Sequence, residues 1–375
     1  MKKKLFALGM ATAIAITGAS PVSAAWSQKE KIEPTQKTTI AMWTETYDSL
    51  EEVMNNSDIC LIGTVIDQEI EQRDNTYLTH SYVQISNNEL YDVVQVGAIV
   101  NGQDMNVPYD APLLNLNEEY FLCLNKTDFD EEFGQYYLIS GGNQGYGLYN
   151  ENSETVSVAS ATERAVFSTI EFKSADINIA DLNTGSIATY ELPYSTYSGD
   201  VEPELYIWDV WNDELPVYYI DSFDVDVAYA TQNAIKTGIV SWNNIYSKLK
   251  IVIAPSSNSA NVHFYCTNIG ETNIAGLTDL YYDGKVYGDK VSYRRITSAD
   301  VNLNFSVRHE SSPSFWQAIA CHEMGHVIGL GHPSTDEDEI MYPYYTSYYD
   351  TYGITKPTPV DKSKLMNKYT GMEVD

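Results

Sequence analysis

The chain has 375 residues, 43% of them hydrophobic, enough for more than one core, which excludes a small disulfide-stapled module. With 52 acidic against 22 basic side chains the formal charge is −30, and that field repels nucleic acid and anionic lipid, so neither is expected as a partner. A load of 30 tyrosines excludes a disordered acidic chain and suits strands with wetted edges.

Lys2, Lys3 and Lys4 precede an apolar run from Leu5 to about Ile16, followed by the small-residue stretch Pro21-Val22-Ser23-Ala24-Ala25. This pattern predicts a secretory signal peptide over 1–24, cleaved near Ala24 or Ala25. The run is shorter than the ~20 residues a bilayer requires, and no later segment is apolar enough, so the product is expected to be secreted, extracellular and free of the membrane. Cys60, Cys123, Cys266 and Cys321 allow disulfides or buried thiols, and their pairing stays open.

Residues 50–150 alternate short strands with turns, at 59–66, 81–85, 91–96, 120–124 and 136–139, and predict a small all-β domain. The Gly141–Gly145 stretch reads as a turn, because it lacks the strand-to-helix setting of a phosphate loop. In its order of elements, with Ser57-Asp58-Ile59-Cys60 early and Asp110-Ala111-Pro112 later, this part resembles OB-like barrel modules. Residues 151–204 are rich in Ser, Thr, Asn and Asp and are expected to be a linker, with one strand or short helix near 162–172.

From 205 to 375 the pattern is that of an α+β domain. A strand is expected at 216–220, then a long helix carrying Ala228, Thr231, Ile235, Ile239, Trp242 and Tyr246 on one face. Strands at 249–253, 262–266, 277–281 and 301–307 follow, and Ser312-Pro313 opens a second long helix with an N-cap and an N1 proline.

That second helix contains His322 and His326, four apart and so on one face, a spacing that suits two ligands of one metal. His332 can join them only if the helix stops, and Gly329 supplies the stop. Glu323 lies about 100° round the helix from His322, adjacent to the metal face, where a base rather than a ligand is useful.

The string His322-Glu323-x-x-His326-x-x-Gly329-x-x-His332 resembles the metzincin zinc signature, and Ile340-Met341-Tyr342-Pro343 resembles the Met-turn of that clan. Met341-Tyr342-Pro343, Gly325 and the order of elements resemble matrixins. Pro333 resembles serralysins instead, Pro343 stands where serralysins and astacins have a tyrosine ligand, and both the cysteine-switch motif and the H-x-D pattern of a second zinc are missing.

The resemblance implies a mixed sheet with two long helices, one catalytic Zn2+ on His322, His326 and His332, and Glu323 as catalytic base of a metalloendopeptidase. It further implies a protein or peptide substrate stretched along an edge strand near 276–280, including Gly276 and Leu277, with a pocket walled by Pro343, Tyr344 and Tyr345. Ca2+ is a candidate near Asp279, Asp283, Gly284 and Asp289, a solvated acidic loop being the alternative. The enzyme is expected to be a monomer.

Tyr197-Ser198-Gly199-Asp200 resembles a segment by which astacin propeptides offer an aspartate to zinc, making Asp200 a candidate latency ligand and a plain turn the alternative. His80, His263, His309 and Cys321 are expected to be structural. The rival reading is a secreted adhesion or carbohydrate-binding protein with a vestigial zinc site, against which the retained Glu323 argues. The N-terminal β domain would either inhibit the protease or recruit its substrate.

Overall fold

Two sheets carry nearly all the strands of the structure, a computed structural model that describes residues 36–370. Outside the description lie 45–46, 48–49, 109–110, 129–133, 143, 151–154, 163–165, 174–205, 211–214, 224–226, 284–286, 288–292, 308–311 and 334–337. Residues 1–24, where a signal peptide is expected, and Asp200, Gly284, Asp289 and His309 therefore fall outside the described residues.

The first sheet is built from β2 (Ile59–Arg73), β3 (Thr76–Gln84), β4 (Leu90–Val96), β7 (Glu119–Lys126), β8 (Tyr137–Ile139) and β9 (Tyr146–Asn150), with β5 (Ala98–Val100) and β6 (Gln103–Met105) as a separate hairpin. Asn101 and Gly102 both take positive φ in the two-residue turn of that hairpin, as its twist requires. Pairing runs β7–β2–β3–β4–β8, and β8 pairs again with β7. Leu61, Val65, Val83, Val93, Leu122 and Leu124 fill the interior, placed by the two-residue alternation of their strands.

The linker expected over 151–204 is narrower than its composition implied. Strands β10 (Thr155–Thr162) and β11 (Val166–Lys173) pair with each other and, through β9, extend the first sheet. β11 falls on the strand or short helix expected near 162–172, and the alternating Val156 and Val158 give β10 a short period-two signal within an otherwise polar stretch.

The second sheet has the order β1 (Gln36–Trp43), β16 (Ile274–Tyr282), β17 (Arg294–Asn304), β15 (Val262–Thr267), β13 (Val217–Phe223) and β14 (Val252–Ile253), with β12 (Tyr206–Ile207) beside β17. β13, β14, β15 and β17 are parallel to their neighbours in that part of the sheet, and the crossover this demands is α2 (Tyr229–Val240). β16 is antiparallel to β17 and β1 is antiparallel to β16.

α2 packs on α3 (Pro313–Val327), and the two helices touch so closely that a Cβ at Gly238 would collide with the Gln317 carbonyl. α3 is buried on all sides from Ala318 to Val327, which is why its sequence shows little amphipathic contrast. The stack of Trp316 on Phe305, with centroids 3.8 Å apart, joins it to the sheet.

Two expectations need correction. In the part from 205 on, α4 (Pro359–Thr370) joins the two helices expected, and a short helix, α1 (Leu50–Asn55), precedes β2. The signal for α4 was present: Thr358 and Asp361 exchange hydrogen bonds as a capping box around the N1 proline. The stretch 276–280 is also not an edge, because β1 covers it from Gln36 to Met42.

Candidate metal centre

The end of α3 positions the site. Gly329 has φ +90, and a Cβ there would also collide with the Tyr206 carbonyl, so glycine is required on two grounds. The carbonyls left over at the helix end find donors: Trp208 Nε1 donates to Val327 O at 2.8 Å, Tyr369 Oη to Ile328 O at 3.2 Å, and Lys368 Nζ to Gly329 O. The chain then turns back and returns His332 to the helix face.

The three Nε2 atoms converge, at 3.0 Å for His322–His326, 3.0 Å for His326–His332 and 3.2 Å for His322–His332. His322 Nδ1 donates to Ile340 O at 2.7 Å and His326 Nδ1 to Leu330 O at 2.8 Å, and since a carbonyl only accepts, both rings turn an unprotonated Nε2 inward. Burial holds all three imidazoles well below their usual pKa, His326 at about 4, which favours the neutral form a metal binds.

Lone pairs aimed at one another at 3 Å repel unless a cation lies among them. Tetrahedral donors at 2.0–2.1 Å from zinc stand roughly 3.3 Å apart, close to the observed spacing, so the residues fit that ion. Among the described residues this is the one group of histidine, cysteine and carboxylate side chains arranged to hold a metal.

Glu323 is fully buried beside the triad. Thr278 Oγ1 donates to its Oε2 at 2.5 Å, while Oε1 has no hydrogen-bond partner among the described residues. Burial raises its pKa to about 8, against the pull of the Thr278 hydroxyl. Gly276 makes the room, for a Cβ there would strike Glu323 Oε1. Gly276 and Leu277 were expected along a substrate; Gly276 abuts Glu323, and Leu277 is buried in a cluster with Trp43.

Met341 lies under the centre, its sulfur against Gly325. The turn that carries it is pinned from α4: buried Asp361 accepts from Ile340 N at 3.1 Å, and Lys364 pairs with buried Glu339 at 2.8 Å. Sequence reasoning passed over Asp361 and Glu339, whose signal lay in the α4 capping box. It also passed over Tyr348, whose buried ring stacks on His322 with centroids 5.6 Å apart and planes 9° apart. Tyr348 sits in a π-helical turn, 346–351, seven residues past Met341, where no motif marks it.

Pro343 accepts a backbone hydrogen bond from Trp43, Tyr344 forms a parallel bridge with Trp43, and Tyr345 packs edge-on against Phe315. At the suggested calcium loop, Asp279 is buried and already engaged by Lys37, Asn106 and Thr39. Asp283 accepts from the Tyr287 hydroxyl. His80 lies between Glu71 and Asp92, His263 against Asp221, and Cys321 beside Ser241.

A helix presenting two histidines, a glycine turn returning a third, and a methionine turn after them together form one candidate metal centre. Residues 222–369 match the family model of the matrixins, peptidase family M10, and this part of the chain is similar to that family. Two solved structures of myroilysin align at 13% and 14% identity, covering 44% of this chain and 80% and 84% of theirs, each with a TM-score of 0.22. No curated protein matches the chain.

Proposed function

We propose that the chain is a secreted zinc-dependent metalloendopeptidase that hydrolyses internal peptide bonds. The observation that carries this is the convergence of three neutral, inward-facing Nε2 atoms beside a buried carboxylate with one oxygen free of hydrogen bonds. His322, His326 and His332 would hold the ion, and zinc in such a site polarises a carbonyl and makes water acidic enough to attack near neutral pH.

Glu323 does the proton work. Its buried carboxylate stands beside the triad, where it can take a proton from the attacking water and hand it to the leaving amine. Thr278 fixes Oε2, which leaves Oε1 for that exchange. Tyr348 keeps the His322 ring in place from one face, and the carbonyl of Ile340 keeps its tautomer.

The strand pairings that return from β8 to β7 support reading the first sheet as an OB-like barrel, since that closure joins five strands in a ring. Export rests on the basic and apolar residues at the start of the sequence.

The test is metal analysis together with a broad peptide-cleavage profile. About one zinc per chain, lost in His326→Ala, and cleavage abolished by a chelator are expected. A zinc content unaffected by His326→Ala would refute the ligand assignment, and zinc-loaded protein without cleavage in any variant would refute the peptidase reading.

A further inference from the structure

The two faces of β16 answer to different parts of the molecule. On one face Gly276 leaves room for the Glu323 carboxylate and Thr278 donates to its Oε2, while Leu280 enters the core around the metal-bearing helix. On the other face Leu277 is buried in a cluster with Leu78, Val94 and Leu138 of the first sheet. Asp279, next along that face, is 2% exposed and accepts from Asn106 Nδ2 at 2.6 Å.

Asn106 follows the β5–β6 hairpin of the N-terminal β domain. It is itself 4% exposed and takes φ 59, in the left-handed region that asparagine tolerates better than most residues. Its backbone is pressed against Gly97, where a Cβ would strike Val107 and the Asn106 carbonyl, and Thr79 Oγ1 donates to Gly97 O at 2.7 Å. The amide that reaches Asp279 is therefore fixed from behind by β3 and the end of β4. The loop that enters β16 is held from the same domain: Arg73 donates to Ile269 O at 3.0 Å, Tyr136 Oη to Glu271 O at 2.5 Å, and Asn273 Nδ2 to Ile139 O.

Side chains on a strand alternate between faces while sharing one stiff backbone, so a shift imposed on one face is felt on the other. A buried carboxylate also needs its donors. Without the Asn106 amide, those left to Asp279 are Lys37 and Thr39, both on β1, and the strand is drawn toward them. Resting on the peptidase reading above, we infer that the N-terminal β domain positions the base. Asn106 and Tyr136 are positioning residues that act on Glu323 through β16, a third role for that domain besides inhibition or recruitment of substrate.

The experiment uses the full zinc-loaded chain. Asn106→Gly deletes the amide and keeps the backbone angle easy, and Tyr136→Phe deletes one hydroxyl. Asn106→Asp combined with Asp279→Asn restores an amide–carboxylate pair with its polarity reversed. In Asn106→Gly kcat for peptide cleavage should fall by about 10- to 100-fold, with KM within about twofold and about one zinc kept, as for a displaced catalytic group. Tyr136→Phe should lower kcat by about threefold or more, and the swapped pair should recover to within about threefold of the unaltered chain.

Backbone amides of 276–280 should exchange at least about tenfold faster in Asn106→Gly, while those of α2 keep their rates. Unchanged turnover in Asn106→Gly and Tyr136→Phe, or a loss that the swapped pair does not recover, overturns the positioning role. Faster exchange that spreads to α2 overturns it as well, because the loss is then general. A zinc-loaded unaltered chain that cleaves nothing, with the shift at 276–280 present, overturns the peptidase reading and leaves the hold on β16 standing.

Discussion

The sulfur of Met341 rests directly on Gly325, one turn from His322 and beside His326 on the same helix, and no side chain larger than hydrogen fits between them. This contact joins the turn below the metal centre to the helix that carries two of its ligands. Gly325→Ala should overpack it, costing about 1–3 kcal/mol of stability. Thermal unfolding of the zinc-loaded chain checks this, and an unchanged midpoint would show that the turn yields freely.

Gly276→Ala tests the space given to Glu323. The added methyl collides with Oε1, so the carboxylate must shift while the three histidines stay in place. Zinc content should be kept and turnover should fall by about 100-fold, the usual scale for a misplaced catalytic group. Measuring both in the same preparation separates a displaced base from a lost metal.

Asp361→Ala removes a buried acceptor from Ile340 N, Thr358 N and the Thr358 hydroxyl. Since Ile340 O orients His322, zinc affinity should drop by roughly 10–100-fold, the range found for loss of groups that support metal ligands. A competition titration with a zinc chelator reads this directly, and unchanged affinity would detach α4 from the metal centre.

His80 gives a pH dependence. Burial disfavours its charge, but hydrogen bonds and attraction from Asp92 and Glu71 outweigh this and raise its pKa above the usual value. With the folded value raised, the stabilisation is full below the unfolded pKa of about 6.5 and is lost as pH rises through the folded value. Urea midpoints of wild type minus His80→Gln should therefore be larger at acidic pH than at alkaline pH. The opposite slope would contradict the ion cluster.

Cys60 and Cys123 face each other across β2 and β7, with sulfurs 2.8 Å apart. Given an oxidant, they should join, removing two of the four thiols, while Cys266 and Cys321 stay reduced. Thiol counting and peptide mapping after oxidation check the pairing, and a bond involving Cys266 or Cys321 would contradict the fold.

The metal centre was legible because its chemistry needs fixed residue types at fixed helical spacing: His322, His326, Gly329 and His332 encode a face, a stop and a return. The order of elements around it was legible from apolar periodicity, as in α2 and the alternating β17, although α2 stops at Val240 and leaves Trp242 and Tyr246, expected on its face, in the turns beyond it. Support from a distance was not. Asp361, Glu339 and Tyr348 act through a helix and a π-helical turn that are far from the motif in sequence. β1 escaped for another reason. Its pattern, Gln36-Lys37-Thr38-Thr39-Ile40-Ala41-Met42-Trp43, is an ordinary short strand, and which sheet a strand joins is a long-range property that no local spacing reports.

The central claim is a zinc centre served by Glu323 as base. Its most direct test is Glu323→Gln, with zinc stoichiometry and peptide turnover measured on one preparation. About one zinc per chain should remain while turnover falls by at least 10²–10⁴-fold, the scale expected for removal of a general base. Turnover near that of the unaltered chain, with the same zinc content, would contradict it.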